Sequence, residues 1–266
     1  MNTLNEYSPA ETLILLQGKK AQLKDLLKVT LMDLLLKQVL QTLEIENSGD
    51  NVRASNTYVI AGQNFDRLNY LPHEHVFLKP YLRTPANQIL FTNLVKIGYE
   101  NTEYARYFIR LVFQNPNTRA CFVKGLTRIF VGKFSLTPFG EKKVSDLKHE
   151  IRELEKTLPD LMHTSPEKAL ETIRRIGGNV FLVKGIDFNL MKQIEDQVLA
   201  EVHGARSSSN SGFGDPMMWI ALDANSRQFD SGCSTISSQD WDSGSSDVSD
   251  GGDADGCSGC SGCGGD

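Results

Sequence analysis

Three cysteines with a strict spacing of three residues stand near the end of the sequence, in the run GCSGCSGC. They are Cys257, Cys260 and Cys263, and a fourth thiol, Cys233, precedes them. A closed tetrahedral zinc site needs four ligands, so the repeat requires Cys233 or a second chain to complete it. Cu(I), a soft cation, accepts fewer thiolates. Zinc or copper binding, covalent modification of the thiols, and a low-complexity end without chemistry all stay open.

The segment that carries these thiols is strongly acidic. Residues 205–266 contain ten aspartates and two arginines, a net charge of −8. The whole chain has 28 basic and 33 acidic residues and a net charge of −5, so residues 1–204 carry +3. The linker-like run ARSSSNSGFGD opens the acidic segment. We therefore expect 205–266 to be a disordered acidic Gly/Ser/Cys tail on a mildly basic body.

Other patterns that could do chemistry are weak. His73-Glu74-His75 offers two imidazoles, but Pro72 precedes them, and polar residues at a helix entry are the favoured interpretation over a metal site. Cys121 stands alone among apolar residues and is expected to be a small buried side chain. The sequence contains no GxSxG, P-loop, GxGxxG or HExxH motif. These observations favour a non-enzymatic protein that requires no cofactor.

A modest basic cluster accompanies the middle of the chain: Arg119, Lys124, Arg128 and Lys133. It is the candidate surface for nucleic acid or for anionic lipid. The helices predicted around it carry acids and bases in mixture, which is typical of an ordinary solvated face. Nucleic-acid binding is therefore disfavoured, and a protein partner is the preferred expectation.

The elements that must position these residues begin with a predicted unit at 1–70. Ser8-Pro9-Ala10-Glu11 is a helix start with a capping box, and Gly18 is a natural stop. A Leu-rich helix follows over about 20–38, with apolar residues at steps of three and four. Strand-like stretches at 39–45 and 56–60 flank the turn residues 47–50. This order of helix, helix and hairpin is typical of a winged-helix unit.

The next two units are predicted to be mostly helical. A helical middle at 71–116 has joints at Pro85 and Pro116. A second winged-helix-like unit at 117–204 begins with a short hairpin over 128–137. Thr137-Pro138 then starts a long helix that Pro159 is expected to end.

The rest of this second unit contains shorter elements. A helix begins near Ser165 and stops at Gly177, a short strand or buried link spans 179–183, and Asp187 caps a last helix. The long helix carries one apolar seam at steps of three and four, formed by Val144, Leu147, Ile151, Leu154 and Leu158. A homodimer contact through this seam is one interpretation, and packing against the helix's own domain is the favoured one.

The sequence resembles an uncharacterised bacterial family in four features. These are the helix start at 8–18, the Leu-rich second helix, the segment SLTPFGEKKV and the segment GCSGCSGC. The resemblance implies a helical, winged-helix-like core with a Gly/Cys-rich tail, and it carries over no catalytic residue. Many members of that family also have transmembrane helices, and this sequence shows none. Through VTLMDLLLKQVL the chain also resembles the lipid-binding fold of Golgi phosphoprotein 3, which implies anionic headgroups at basic residues.

The sequence thus predicts a mainly α protein with two winged-helix-like units, short β-hairpins, a helical middle and a disordered tail. Its first residues lack the basic start and apolar core of a signal peptide, and no apolar run approaches the length that spans a bilayer. We expect a soluble cytoplasmic protein. The leading hypothesis for function is a non-enzymatic interaction protein with a thiol-bearing tail; a metal-binding or modified tail and a DNA- or lipid-binding body are the alternatives.

Overall fold

The computed structural model describes residues 3–46, 55–66, 69–123, 135–186 and 218–237. This part of the chain is mainly helical and carries a small three-stranded antiparallel sheet, which confirms the predicted mainly α class. Its helices, numbered in chain order, are α1 (Pro9–Gln17), α2 (Leu23–Leu36), α3 (His75–Arg83), α4 (Phe91–Glu100), α5 (Tyr104–Phe113), α6 (Pro116–Cys121), α7 (Pro138–Thr164), α8 (Pro166–Ile176) and α9 (Met218–Ser237). Short 3-10 helices span Thr3–Glu6, Gly18–Lys20 and Gly177–Leu182.

Helix α1 begins and ends where the sequence predicts. The Glu11 carboxylate accepts a hydrogen bond from the Ser8 N–H at 2.8 Å, and Ser8 Oγ accepts one from the Glu11 N–H. Pro9 takes the first helical position, where no N–H is needed. Gly18 caps the other end with a φ of +57°, a conformation that disfavours any residue with a Cβ. The predicted capping box and stop are both confirmed.

Helix α2 lies at the centre of the described fold. Its leucines recur at helical steps, and most of them are fully buried: Leu26, Leu27, Leu31, Leu34, Leu35 and Leu36. The helix packs against α1, α4, α9 and the 3-10 helix at 177–182. Because neighbours surround it on several sides, its second half is apolar around most of its circumference, as a core helix must be.

The sheet joins the first predicted unit to the helical middle. Strands β1 (Leu40–Glu46) and β2 (Ser55–Ala61) pair antiparallel, with Leu40 opposite Ala61, so both predicted strands are confirmed. A third strand, β3 (Ile89–Leu90), pairs with β2 from within the range that was expected to be helical. Pro85 separates β3 from α3, and the two-residue strand carries too short a pattern to be read from sequence.

Helices α3 to α6 pack around large aromatic side chains. Phe77, Tyr81, Phe91, Tyr107 and Phe108 are almost completely buried. The Tyr81 hydroxyl donates to the Val59 carbonyl at 2.9 Å, which ties α3 to the sheet. Gly98 lets α4 approach α3, since a Cβ at this position would lie 2.5 Å from Phe77 Cε1.

Helix α7 buries the apolar seam inside the chain. All five seam residues are buried, and the helix packs against α1, α6, α8 and the 3-10 helix at 3–6. These contacts lie within the chain, on α8 and most of α6 in the predicted unit 117–204 and on α1 and residues 3–6 in the predicted unit 1–70. Thr137 caps the helix by accepting a hydrogen bond from the Gly140 N–H at 3.0 Å. The homodimer through this seam stays a prediction without a supporting contact.

Two predicted helix and strand boundaries are wrong. Helix α7 continues through Pro159 to Thr164. A proline inside a helix removes one N–H donor, but Leu158 and Met162 are buried on either side, and this packing holds the last turns together. The strand predicted for 179–183 is wrong, whereas the alternative of a buried link agrees with the burial of Asn179, Val180 and Val183. Residues 177–182 form a 3-10 helix. Its Asn179 side-chain amide donates to the carbonyls of Leu4 and Tyr7, which fixes the turn to the N-terminal segment.

Helix α9 lies within the range 205–266 that was expected to be a disordered tail. It packs against α2 and α4 and buries Leu222, Phe229 and Cys233. Disorder is therefore the wrong expectation for 218–237, because this stretch has enough spaced apolar residues to cover a helix face. The described residues do not include 205–217 and 238–266 of the predicted tail. They also do not include 124–134, which holds most of the second predicted hairpin, or 187–200, which holds most of the last predicted helix.

The winged-helix assignment of the two units stays a prediction. The order α1, α2, β1, β2 agrees with the first unit, and an isolated bridge between Phe122 and Leu136 lies at the base of the predicted second hairpin. Among the described helices, none combines the length and the apolar character that crossing a bilayer requires.

Candidate functional site

Most residues that the sequence singled out for binding lie outside the described part of the chain. These are Cys257, Cys260, Cys263, Lys124, Arg128 and Lys133. Arg119 is exposed in the last turn of α6. Within the described residues, no three His, Cys, Asp or Glu side chains gather in a way that could hold a metal ion. Metal binding by the tail thiols stays a prediction that these residues do not test.

The two described cysteines are both buried free thiols. Cys121 contacts the Tyr7 hydroxyl at 3.4 Å, as expected for a packed side chain. Cys233 lies on α9 beside the Tyr99 hydroxyl of α4. Burial raises the pKa of both thiols above the ordinary value. Each thiol is therefore protonated near neutral pH in this arrangement, whereas a metal ligand must be a thiolate.

The segment His73-Glu74-His75 splits between the interior and the surface. His73 and Glu74 are buried, and His75 is exposed as the first residue of α3. The two imidazoles therefore do not converge, in agreement with the favoured interpretation as a helix entry. The inner pair joins a buried charged cluster, and the outer histidine joins a surface pocket, so one short segment contributes to both.

The buried charged cluster consists of Glu11, Asp33, Lys37, His73 and Glu74. The four residues other than Lys37 are between 1% and 5% exposed. The Lys37 ammonium lies 2.5 Å from Asp33 Oδ2 and 3.7 Å from Glu74 Oε1, and its side chain remains 41% exposed. Two carboxyls thus share one ammonium, contributed by the C-terminal end of α2. The Glu11 carboxylate instead accepts hydrogen bonds from the Ser8 N–H and the Thr118 hydroxyl.

The cluster shifts the proton affinity of its acids in one direction. Burial raises the pKa of Glu11, Asp33 and Glu74, although the Lys37 charge partly opposes the shift at each of them. Burial lowers the pKa of Lys37, but the nearby Asp33 and Glu74 carboxylates outweigh it and leave that pKa raised. The charged form of Lys37 therefore offsets part of the cost of burying the Asp33 and Glu74 carboxylates.

His73 is neutral within this cluster. Burial, together with the Lys37 charge, lowers its pKa to about 3. Its Nε2 lies 3.4 Å from Ser8 Oγ, which superficially suggests a serine–histidine pair. An imidazole with this pKa is a poor general base near neutral pH, and its burial keeps substrate away. The cluster is consequently a structural unit that holds the 71–75 segment against α1 and α2.

A pocket of about 600 Å³ lies on the outer side of the 71–75 segment, between α3, α4 and α5. Its rim consists of the His75 imidazole and three cations, Lys79 and Arg83 from α3 and Arg110 from α5. The remaining lining is apolar or amide in character: Pro72, Val76, Pro80, Ile97, Asn101 and Gln114. We call this the cationic pocket, because its lining includes no carboxylate.

The helical repeat explains why the charges converge. Residues four apart lie on one face of a helix, so 75, 79 and 83 form a stripe along α3. The opposite face of α3 buries Phe77, Leu78 and Tyr81, which fixes the stripe toward the pocket.

The ion pairs of the described residues do not include the three cations of this pocket. Among the described residues, Lys79, Arg83 and Arg110 have no carboxylate partner within 4.0 Å. Three cations therefore face a concave space with no carboxylate among its described lining residues.

A smaller pocket of about 200 Å³ adjoins the first and shares Asn101 and Arg110 with it. Its two acids already have partners, since Glu103 pairs with Arg106 at 2.9 Å and Glu100 with Lys96 at 3.5 Å. Arg110 is thus the cation that borders both spaces.

Sequence reasoning missed the cationic pocket. The pattern was present in HVFLKPYLR, where His75, Lys79 and Arg83 alternate with the buried apolar residues. Arg110 follows 27 positions after Arg83, and no local pattern connects it to α3. Comparisons with protein-family models, with curated proteins and with solved structures find no match to this chain.

Proposed function

We propose that this chain is a non-enzymatic interaction protein whose described part binds an anionic ligand in the cationic pocket. The observation that carries the proposal is the convergence of Lys79, Arg83 and Arg110 on one concave space without a carboxylate among its lining residues. Like charges held together without counter-ions destabilise a free protein. A bound anion relieves that repulsion, and this relief contributes to affinity.

The chemistry of the lining favours a phosphate- or carboxylate-bearing small ligand. Two guanidinium groups offer planar forks that match the oxygens of either group. Val76 and Ile97 supply apolar surface against which an organic portion can pack, and Asn101 and Gln114 supply amides for its polar edge. A pocket of about 600 Å³ is within the range of small-molecule sites.

Calorimetric titration of the full chain with inorganic pyrophosphate tests this proposal. The double variant Arg83→Gln/Arg110→Gln removes two charged donors, each contributing about 1.5 kcal/mol or more, so we expect affinity to fall by about a hundredfold or more. The matched control is Lys148→Gln/Arg152→Gln on the exposed face of α7, which should bind as the wild type does. Equal affinity in both double variants would remove the proposal.

Duplex DNA and anionic lipid vesicles serve as comparison ligands in the same assay. Binding of either one that survives the pocket substitutions would place the anion-binding surface elsewhere, such as the predicted cluster that includes Arg119. The thiol-bearing tail remains the second part of the interaction hypothesis. Equal zinc uptake by the wild type and by a Cys257/260/263→Ser variant would exclude metal binding there.

A further inference from the structure

The cationic pocket adjoins a second space, the smaller pocket of about 200 Å³, and Asn101 and Arg110 line both. The Asn101 side-chain amide donates to the Ile97 carbonyl at 2.9 Å, which fixes this side chain at the boundary. An amide that donates through its nitrogen keeps its oxygen as an acceptor. Asn101 therefore offers a hydrogen-bond acceptor where the two pockets meet.

The smaller pocket differs from the larger one in its chemistry, because its lining includes the carboxylates Glu100 and Glu103. Glu103 Oε2 pairs with Arg106 at 2.9 Å, and Glu100 Oε1 pairs with Lys96 at 3.5 Å. A carboxylate has about four acceptor positions, so one ion pair leaves others for a further donor. The smaller pocket therefore favours a group that donates hydrogen bonds, such as a hydroxyl, over a second anion.

The three cations of the larger pocket distinguish a phosphate ester from a carboxylate. Lys79 and Arg83 come from α3, whereas Arg110 comes from α5. A phosphate monoester carries a charge of about −1.5 to −2 near neutral pH and has three terminal oxygens. It can therefore offer one oxygen to each cation, whereas a carboxylate has a single charge and two oxygens to share among the three.

We propose that the ligand of the cationic pocket is a phosphate monoester of a small polyol whose hydroxyl groups reach the smaller pocket. The phosphate contacts Lys79, Arg83 and Arg110, and the hydroxyls donate to Asn101 and Glu103. Arg110 borders both spaces, so the two parts of one ligand lie on either side of its guanidinium. This inference rests on the proposed anion-binding function and adds the chemical class of the ligand.

Calorimetric titration of the full chain with ribose 5-phosphate, ethyl phosphate and butyrate tests this class. The first two probes carry the same phosphate group, but only ribose 5-phosphate has a polyol portion. We expect ribose 5-phosphate to bind about tenfold more tightly than ethyl phosphate, the factor that corresponds to one added hydrogen bond to a charged acceptor. Butyrate should bind more weakly than ethyl phosphate, and equal binding of these two would overturn the assignment of a phosphate.

The double variant Glu103→Ala/Arg106→Ala removes acceptors of the smaller pocket without changing the net charge. It should weaken ribose 5-phosphate by about tenfold and leave ethyl phosphate unchanged, which also shows that the cationic pocket is still folded. The matched control is Glu153→Ala/Lys156→Ala, an exposed ion pair of the same spacing on α7. It should bind both phosphates as the wild type does.

The possible results separate this inference from the proposed function. The polyol inference is overturned if ribose 5-phosphate and ethyl phosphate bind alike, or if the double variant of the smaller pocket does not weaken ribose 5-phosphate selectively. In that case phosphate binding in the cationic pocket stands as long as Arg83→Gln/Arg110→Gln weakens both probes. If neither phosphate binds, or if Arg83→Gln/Arg110→Gln leaves both affinities unchanged, the proposed function fails as well.

Discussion

Replacing Lys37 by Met gives a sharp test of the buried charged cluster. The change removes the ammonium that lies 2.5 Å from Asp33 Oδ2 and 3.7 Å from Glu74 Oε1. The Asp33 and Glu74 carboxyls, which are only 2% and 5% exposed, then have lost this counter-charge. Removing one partner of a fully buried ion pair costs about 3–5 kcal/mol. Because the Lys37 side chain is 41% exposed, we expect a smaller decrease in the free energy of unfolding, about 2 kcal/mol near pH 7.

The loss should depend on pH in a defined direction. Burial raises the pKa of Asp33 and Glu74, so each contributes stability that is fully present below its unfolded pKa and is lost as pH rises through its folded pKa. Without Lys37 these pKa values rise further. At about pH 4 the Asp33 and Glu74 carboxyls are largely protonated and need no ammonium. The decrease in the free energy of unfolding that Lys37→Met causes should therefore fall below about 1 kcal/mol.

Urea denaturation followed by far-UV circular dichroism at both pH values measures the effect. The matched control is Lys148→Met on the exposed face of α7, which corrects for the change in net charge. A loss that is equal at both pH values, or larger at pH 4 than at pH 7, would refute the account of the cluster.

Two further predictions concern close packing and shielding. Gly140→Ala should lower the free energy of unfolding by about 1–3 kcal/mol in urea denaturation, because its Cβ would lie 2.1 Å from the Cys121 carbonyl oxygen; an unchanged midpoint would contradict this packing. In a chain whose three tail cysteines at 257, 260 and 263 are serine, iodoacetamide should modify Cys121 and Cys233 about a hundredfold more slowly under native conditions than in denaturant. In the Phe229→Ala variant, iodoacetamide should modify Cys233 faster than Cys121, as mass spectrometry of the modified peptides would show. Equal modification rates at the two thiols would argue against the docking of α9.

The sequence predicted features that are encoded locally. The capping box at Ser8, the stop at Gly18 and the cap at Thr137 each depend on a few adjacent residues, and all three are present in the fold. The Leu-rich core helix and the two strands also follow from short periodic patterns. The seam of α7 was visible as a pattern, but its burial depends on α1, α6 and α8, which the pattern does not name.

The sequence did not reveal features that depend on distant segments. The buried charged cluster combines Glu11, Lys37 and Glu74, which come from three separate elements. Each of these residues alone looks like an ordinary surface charge. Arg110 reaches the cationic pocket only because α5 packs beside α3 and α4.

The composition of its segment also prevented the prediction of helix α9 from the sequence. Its segment is acidic and lies among Ser- and Gly-rich stretches, so charge and low complexity dominated the interpretation. The buried apolar residues Leu222, Phe229 and Cys233 are only seven and four positions apart, and the buried residue between the first two is the polar Asn225. A helix of this kind gains its stability from α2 and α4 rather than from its own propensity.

Residue-resolved NMR of the full chain, titrated with inorganic pyrophosphate, tests the proposed anion site most directly. The account predicts saturable amide and side-chain shifts at His75, Lys79, Arg83, Asn101 and Arg110, with little change at the exposed cations of α7. Shifts that are absent from the cationic pocket, or that are spread evenly over exposed lysines and arginines, would contradict it.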